Sequence, residues 1–234
     1  GADMTRYHSL MEIIDVHTHH TASGNRAIIN AGTQPIPPGA GGYYSVGVHP
    51  WDSDRDINLP QLELTASDPR VLAIGETGLD RMKGPSTQQQ QQLFAWHIAL
   101  SERIRKPLIL HVVREWGKVL EMFDRLHPSQ PWIAHGFRGK PGLAAQLAAR
   151  GIYMSIGERH NPQSAMEIPS NLILSETDES TLGIEAIVQA IAATRGVTVE
   201  EMRAIITGNS SRIFGRHAAA SPIIGGTQPP AGEK

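Results

Sequence analysis

Eight short apolar runs alternate with longer amphipathic stretches along this chain, and that alternation limits the possible folds more than any other feature. The runs are Ile13–Val16, Ala27–Ile29, Tyr43–Val48, Val71–Ile74, Leu108–Leu110, Trp132–Ala134, Ile152–Ser155 and Leu172–Leu174. They are short and rich in β-branched residues, the pattern of strands covered on both faces. Between them the apolar period changes to three and four. Thr87–Arg105 sets Leu93, Trp96, His97, Leu100 and Ile104 at helical spacing, and Glu115–Leu126 does the same with Val119, Leu120, Met122, Phe123 and Leu126. Pro141–Arg150 has proline in its first turn and Gly151 just past its end. Ile184–Thr194 carries Ile184, Ile187, Val188 and Ile191, and Thr198-Val-Glu-Glu201 is a capping box that opens a last helix. Strand–helix alternation over this length predicts an α/β fold with parallel strands, most simply a TIM-barrel-like (β/α)8 arrangement.

One stretch breaks the scheme. Between His20 and Tyr43 there is no helical period: Ser23-Gly24-Asn25 is a turn signal, and residues 34–42 are rich in proline and glycine. A parallel crossover usually takes a dozen residues or more. The expectation is that Ala27–Ile29 runs antiparallel to its neighbour or pairs irregularly, and that the barrel is trimmed or irregular around residues 20–43. A length of 234 residues suits one domain. Residues 1–12 read as an N-terminal extension, 13–215 as a single catalytic barrel, and the Ala-, Gly- and Pro-rich segment 216–234 as a flexible tail.

Composition removes several function classes. Cysteine is absent, which excludes disulfides and thiolate metal ligands. Formal net charge is −2 with no long basic run, so a general electrostatic grip on nucleic acid is not visible. No apolar stretch approaches the ~20 residues that span a bilayer. The N-terminus lacks the charged-then-apolar order of a signal peptide. A cytoplasmic location is the expectation.

In a parallel barrel the chemistry sits at the C-terminal ends of the strands. Reading only those ends collects His17 and His19, His49, Glu76, His111, His135, and Glu176 with Asp178. A strand has a period of two, so His17 and His19 share a face. Imidazoles with carboxylates suit Zn, Mn, Fe, Ni or Co, with Mg less at home among several nitrogens. Two ions about 3.5–4 Å apart are a recurring device for phosphoester cleavage, and Glu76 on a middle strand is the natural bridge between them.

These residues fall in segments that resemble the TatD-related metal-dependent hydrolases, of the amidohydrolase superfamily. They are Asp15-Val-His-Thr-His19, Gly47-Val-His-Pro50, Ile74-Gly-Glu-Thr-Gly-Leu-Asp80, Pro107-Leu-Ile-Leu-His111, His135-Gly-Phe-Arg-Gly139 and Glu176-Thr-Asp178, with Gly208-Asn209 through Phe214-Gly215 near the end. The likeness runs from about Ile13 to Gly215. It implies a TIM-barrel-like fold, two divalent metal ions, and hydrolysis of phosphodiesters, often of DNA from an end. Carried over by motif, His17, His19, Glu76 and Asp178 hold one ion, and Glu76, His111 and His135 the other. Asp178 is then the general base toward a metal-activated water. The expected substrate is a small phosphodiester or a DNA end, with no membrane and no obligate protein partner.

The chain departs from the family in places. The segment after the first strand is short. Val113 stands where relatives carry Arg, and the first arginine is Arg114. Gly136 and Arg138 replace a usual Cys and Ser, and Glu179 and Ser180 follow Asp178 in place of a small residue and Pro. His49, Arg114 and Arg138 are the candidate substrate contacts. Asp15 reads as a structural hydrogen-bonding group, Glu176 as a support for a ligand, Asp80 as a loop carboxylate that fixes backbone, and Asn209 as a tie at the last helix. His97 reads as a packed helix residue, and residues 88–92 as the exposed start of a helix. His127, His160 and His217 receive no role, although His160 follows a strand and lies within possible reach of a substrate. Two other readings remain open: an amidohydrolase acting on cyclic or linear amides, and a metal-binding scaffold without turnover. The amidohydrolase subclass commonly bridges its metals with a modified lysine on the central strand, where this chain has Glu76.

Overall fold

A computed structural model describes residues 12–39 and 41–220, with side chains through residue 215. Eight strands form one sheet in chain order: β1 (Asp15–Thr18), β2 (Ala27–Gly32), β3 (Tyr43–Val46), β4 (Val71–Asp80), β5 (Leu108–Val113), β6 (Trp132–Ala134), β7 (Tyr153–Ile156) and β8 (Ile173–Ser175). Every neighbouring pair is parallel. The sheet curls until β8 meets β1. There Ser175 Oγ donates to Ile14 O at 2.6 Å, Asp178 N to His17 O at 2.9 Å, and His19 N to Asp178 O at 2.9 Å. The result is the expected TIM-barrel-like fold.

The helices are α1 (Leu59–Ala66), α2 (Thr87–Ile104), α3 (Trp116–Leu126), α4 (Pro141–Ala149), α5 (Pro162–Glu167), α6 (Ile184–Arg195) and α7 (Val199–Ala220). The four long amphipathic segments read from the sequence lie within a residue of α2, α3, α4 and α6. Thr198 caps α7 as expected, accepting from Glu201 N at 3.1 Å. That helix continues to Ala220, across the start of the expected flexible tail. The rest of that tail, and residues 1–11 of the expected N-terminal extension, lie outside the described residues.

The barrel is trimmed where the sequence says it is: no described residue between β1 and β3 is helical. The expected antiparallel pairing of the second run is corrected. β2 is parallel to β1, with Asp15 opposite Ala27 and Thr18 opposite Ile29, and the irregularity is a shift of register between them. The reason is length. A strand of four residues must be retraced over only about 13 Å. The link 19–26 reaches about 27 Å when extended, so it returns without a helix.

Three strands run three or more residues past their expected ends, β2 to Gly32, β4 to Asp80 and β5 to Val113. The expected strand stops just before Gly-Glu-Thr-Gly, yet the glycines of that segment are what let β4 continue against β5. Gly75 and Gly78 have φ of 151° and 144°. A Cβ at Gly75 would stand 2.4 Å from Ile109 O, and one at Gly78 would stand 2.2 Å from His111 O. The β4–β5 register shifts between Gly75 and Thr77, which leaves Glu76 outside the ladder. A bulge of this kind re-aims a side chain.

One buried cluster takes a residue from strand after strand: Val16, Ile28, Leu72, Ile109, Ile133 and Leu174, joined by Ile213 and Phe214 of α7. This is how a small barrel fills its interior. A larger apolar layer lies between strands and helices, with Ile74, Leu108, Trp132, Phe94 and Ile187 among its members. Among the described residues no helix is long and apolar enough to cross a membrane.

Candidate metal centre

Glu76 stands at the middle of the site, and its two carboxylate oxygens face two different sets of imidazoles. Oε2 lies 3.6 Å from His17 Nε2 and 3.3 Å from His19 Nε2. Oε1 lies 3.0 Å from His135 Nε2, 3.7 Å from His111 Nδ1 and 3.6 Å from His49 Nε2. Asp178 completes the first set, with Oδ1 at 3.3 Å from both His17 Nε2 and His19 Nε2. The six expected ligands therefore meet in one cup, although they come from five different strands and the turns that follow them. Asp178 reaches it with φ of 53°, a left-handed conformation that Asp tolerates better than most residues. Its backbone is locked to β1 on both sides, which turns the carboxylate inward.

The other ring nitrogens decide what each histidine offers. His111 Nε2 lies 2.8 Å from Asp80 Oδ2, and His135 Nδ1 lies 3.1 Å from Glu176 Oε2. In the neutral rings each carboxylate takes the N–H, which leaves the opposite nitrogen to turn a lone pair toward the cup. A carboxylate behind a histidine is the usual support of a metal ligand. Glu176 is held in turn by Gly136 N, at 2.9 Å from Oε1. His49 is arranged the other way round: its Nδ1 accepts from Trp51 N at 3.2 Å. In the neutral ring the proton then sits on Nε2, so His49 presents a donor to the cup.

Burial and charge agree with this division. Burial lowers His111 to about 4 against the pull of Asp80, which keeps it neutral. Hydrogen bonding to Asp178 and then Glu76 raises His19 to about 10. Burial opposes charge on His135, yet Glu176 and Glu76 raise it well above the ordinary histidine value. Burial by itself would raise Glu76, but His135, His19 and His49 hold it well below the usual carboxylate range. Asp178 is likewise kept low, by His17 and His19 against burial.

The donor set fits divalent cations. His17 is fully buried and neither of its ring nitrogens has a hydrogen-bond partner. Such an orphan costs about 1–3 kcal/mol unless something takes up its lone pair. Among the described residues three groups bring ligand atoms within 4.8 Å of one another: His17, His19 and Glu76; His17, His135 and Asp178; His49, Glu76 and His111. The 3.3–3.6 Å separations around Glu76 Oε2 match the edge of about 3.4 Å of a tetrahedron with bonds near 2.1 Å. Every donor is nitrogen or oxygen, which suits Zn, Mn, Fe, Co or Ni.

The remaining sequence candidates separate. Arg138 is exposed and lines a cleft with Asp178, Glu179, Glu158 and Arg159. Arg114 is also exposed and leaves β5 with a left-handed φ of 53°. Asp15 binds Thr177 Oγ1 at 2.6 Å and Thr177 N at 3.1 Å across the β1–β8 seam, and burial raises it to about 6. Asn209 ties α7 to Ser170 O and Ile173 O. His160 bonds Gly157 O at 2.7 Å. Asp80 does more than fix backbone, since it also holds His111. The glutamine run is corrected at Gln90, which is buried. Its amide binds Asp80 N, Asp80 O, Lys83 O and Pro85 O. Its spacing on the inner face of α2, two turns before His97, is the signal that could have found it.

Comparison with known proteins places this geometry in context. Residues 39–215 match the family model described as TatD related DNase. The Escherichia coli K12 protein named "Uncharacterized metal-dependent hydrolase YcfH" is 28% identical over 202 residues, which covers 77% of this chain and 76% of that protein. The "3'-5' ssDNA/RNA exonuclease TatD" of Cronobacter turicensis is 32% identical over 151 residues, covering 59% of this chain and 57% of its own length. The crystal structure of YJJV, a TatD homologue of Escherichia coli, superposes with a TM-score of 0.75 at 19% identity, over 88% of this chain and 98% of that one.

Proposed function

The chain belongs to the TatD-related DNase family and is a metal-dependent hydrolase; on that premise we propose that it cleaves phosphodiesters with the help of two divalent cations, for which Glu76 would be the shared ligand. The observation that carries this reading is the division of Glu76, whose Oε2 faces His17 and His19 while Oε1 faces His135 and His111. His17, His19, Glu76 and Asp178 would hold one ion, and Glu76, His111 and His135 the other. Bound there, divalent cations supply Lewis acidity and make water acidic near neutral pH.

The chain's own groups do the rest. Asp178 is about one-third exposed, at 37%, and is held ionised by His17 and His19. It can therefore accept a proton from water on the open side of the cup, as a general base must. His49 offers its Nε2 proton to a phosphoryl oxygen and fixes it beside Glu76. Arg138 stands on the cleft next to Asp178, where a guanidinium pairs with a second phosphoryl oxygen in two-point fashion. Asp80 and Glu176 hold His111 and His135 in the tautomers that a metal needs.

The name of the Cronobacter relative, an exonuclease of single-stranded DNA and RNA, supports a nucleic-acid end as substrate. The test is a panel of bis-p-nitrophenyl phosphate, a short single-stranded DNA and a dihydroorotate-type amide, offered with Mn or Zn. The reading expects turnover of both phosphodiesters, abolished by chelator and by Glu76→Ala or Asp178→Ala. Turnover of the amide alone, or retained activity in either variant, would refute it.

A further inference from the structure

We propose that Trp51 is a preformed stacking platform for the nucleobase next to the scissile phosphate, with Lys83 as a side chain that yields its place to that base. The proposal rests on the phosphodiesterase reading above and names what the substrate must carry: an unpaired nucleobase.

Trp51 is a large apolar residue left 41% exposed, and it stands at the rim of the cup. Its ring centroid is 4.4 Å from that of His49 and 5.6 Å from that of His111. A molecule with its phosphate against Glu76 and His49 therefore meets the indole next. The ring is fixed: its Nε1 donates to Asp80 Oδ2 at 2.7 Å, the same oxygen that holds His111. The opposite oxygen of Asp80 accepts from Met82 N at 2.8 Å and Lys83 N at 3.1 Å. Gln90 ties the same loop from below through Lys83 O and Pro85 O. Gly84 closes it onto the Trp51 turn, where a Cβ would stand 2.9 Å from Trp51 Cα. One carboxylate thus sets both a candidate metal ligand and an aromatic face, so the two are in fixed relation.

Met82, 58% exposed, adds an apolar edge on the same loop. Lys83 Nζ lies 4.5 Å from the Trp51 ring centroid. A cation over an exposed ring is held more weakly than a base stacked on an aromatic side chain. The base therefore displaces the ammonium, and only the flexible lysine side chain has to move because its backbone is held by Asp80. The released ammonium is then free to pair with a backbone phosphate of the same strand. A base inside a duplex is covered on both faces and cannot lie on the indole, so the platform selects single strands or frayed ends.

The experiment compares phosphorothioate-linked tetrathymidylate with an abasic backbone of the same length, binding to the Mn-loaded wild type, Trp51→Phe, Trp51→Leu and Trp51→Ala. The phenylalanine variant loses the hydrogen bond to Asp80 but keeps an aromatic face, and the leucine variant keeps apolar bulk without one. The expected result is a preference for the base-bearing strand of about tenfold in the wild type, largely retained in Trp51→Phe and reduced to near unity in Trp51→Leu and Trp51→Ala. A preference unchanged in Trp51→Leu or Trp51→Ala, or no preference in the wild type, would overturn the proposal. Turnover of the ordinary phosphodiester by the wild type is read in parallel. If base-dependent binding is found without turnover, the phosphodiesterase reading fails while base recognition by Trp51 stands.

Discussion

Nε2 of His135 lies 3.0 Å from Oε1 of Glu76, and the other oxygen of that carboxylate faces His17 and His19. A single negative group is thus shared by two sets of imidazoles, and its charge matters as much as its shape. Glu76→Gln keeps the size and removes the charge. It is expected to lower kcat by about a thousandfold, the equivalent of roughly 4 kcal/mol, and to reduce the metal content of the purified protein. Steady-state assay and elemental analysis of the variant check both.

Glu176 acts at one remove, through His135. Glu176→Gln keeps a hydrogen-bond acceptor for Gly136 N but no longer fixes the charge behind the ring. Loss of such a partner typically weakens metal affinity by about 10–100-fold. Competition with a chromophoric chelator measures it, and the melting temperature of the metal-free variant should stay within a few degrees of the wild type.

Metal and protons compete in the cup. His19 is raised to about 10, so at pH 7.5 its ring carries an extra proton that a cation must displace, and Glu176 and Glu76 shift His135 in the same direction. Calorimetric titration with Zn in two buffers of different ionisation enthalpy is expected to report release of between one and two protons per chain. Affinity then falls by about tenfold for each released proton per unit drop in pH. Binding with no proton release would contradict the arrangement.

His97 supplies a separate dependence, away from the ligands. It is fully buried, accepts from Val48 N at 2.9 Å and donates through Nδ1 to Leu93 O at 2.8 Å, so it is neutral and fixed in one tautomer. Burial lowers it to about 4 from an ordinary value of 6.5. Below 6.5 the unfolded chain binds a proton that the folded chain refuses. This contribution to stability is complete above pH 6.5 and is lost as pH falls toward 4, to a total of about 3 kcal/mol. Denaturant unfolding of the wild type and His97→Gln at pH 7 and pH 4.5 reads the difference: the wild type should lose more than the variant.

The glycines of β4 carry a steric prediction. Gly78→Ala places a methyl group 2.2 Å from His111 O at a φ of 144°, so the strand must part from β5. Destabilisation of about 3 kcal/mol or more is expected, read as a fall in the denaturant midpoint.

The strand order and the four long amphipathic helices are legible in the sequence because their apolar periods differ. So are the six residues of the cup, because a parallel barrel collects its strand ends on one rim. The extension of β4 is not legible. The apolar run ends at Ile74, and only the closeness of Ile109 O and His111 O explains why no side chain fits at Gly75 and Gly78. The parallel return from β1 to β2 is hidden because the crossover rule assumes a strand longer than four residues. Gln90 is masked by its neighbours, since four of five glutamines in a row leave it looking like surface. His49 and His111 share the Nε2–H tautomer but turn opposite nitrogens toward the cup, because of Trp51 N and Asp80, and local spacing says nothing about either partner.

The most direct test is titration of the metal-stripped protein with Zn or Mn while hydrolysis of bis-p-nitrophenyl phosphate is followed. The account predicts saturation at two ions per chain in the wild type, with full activity only at the second equivalent, and no more than one tightly held ion in Glu76→Gln. Full activity at one equivalent, or two ions held equally well without the Glu76 carboxylate, would contradict it.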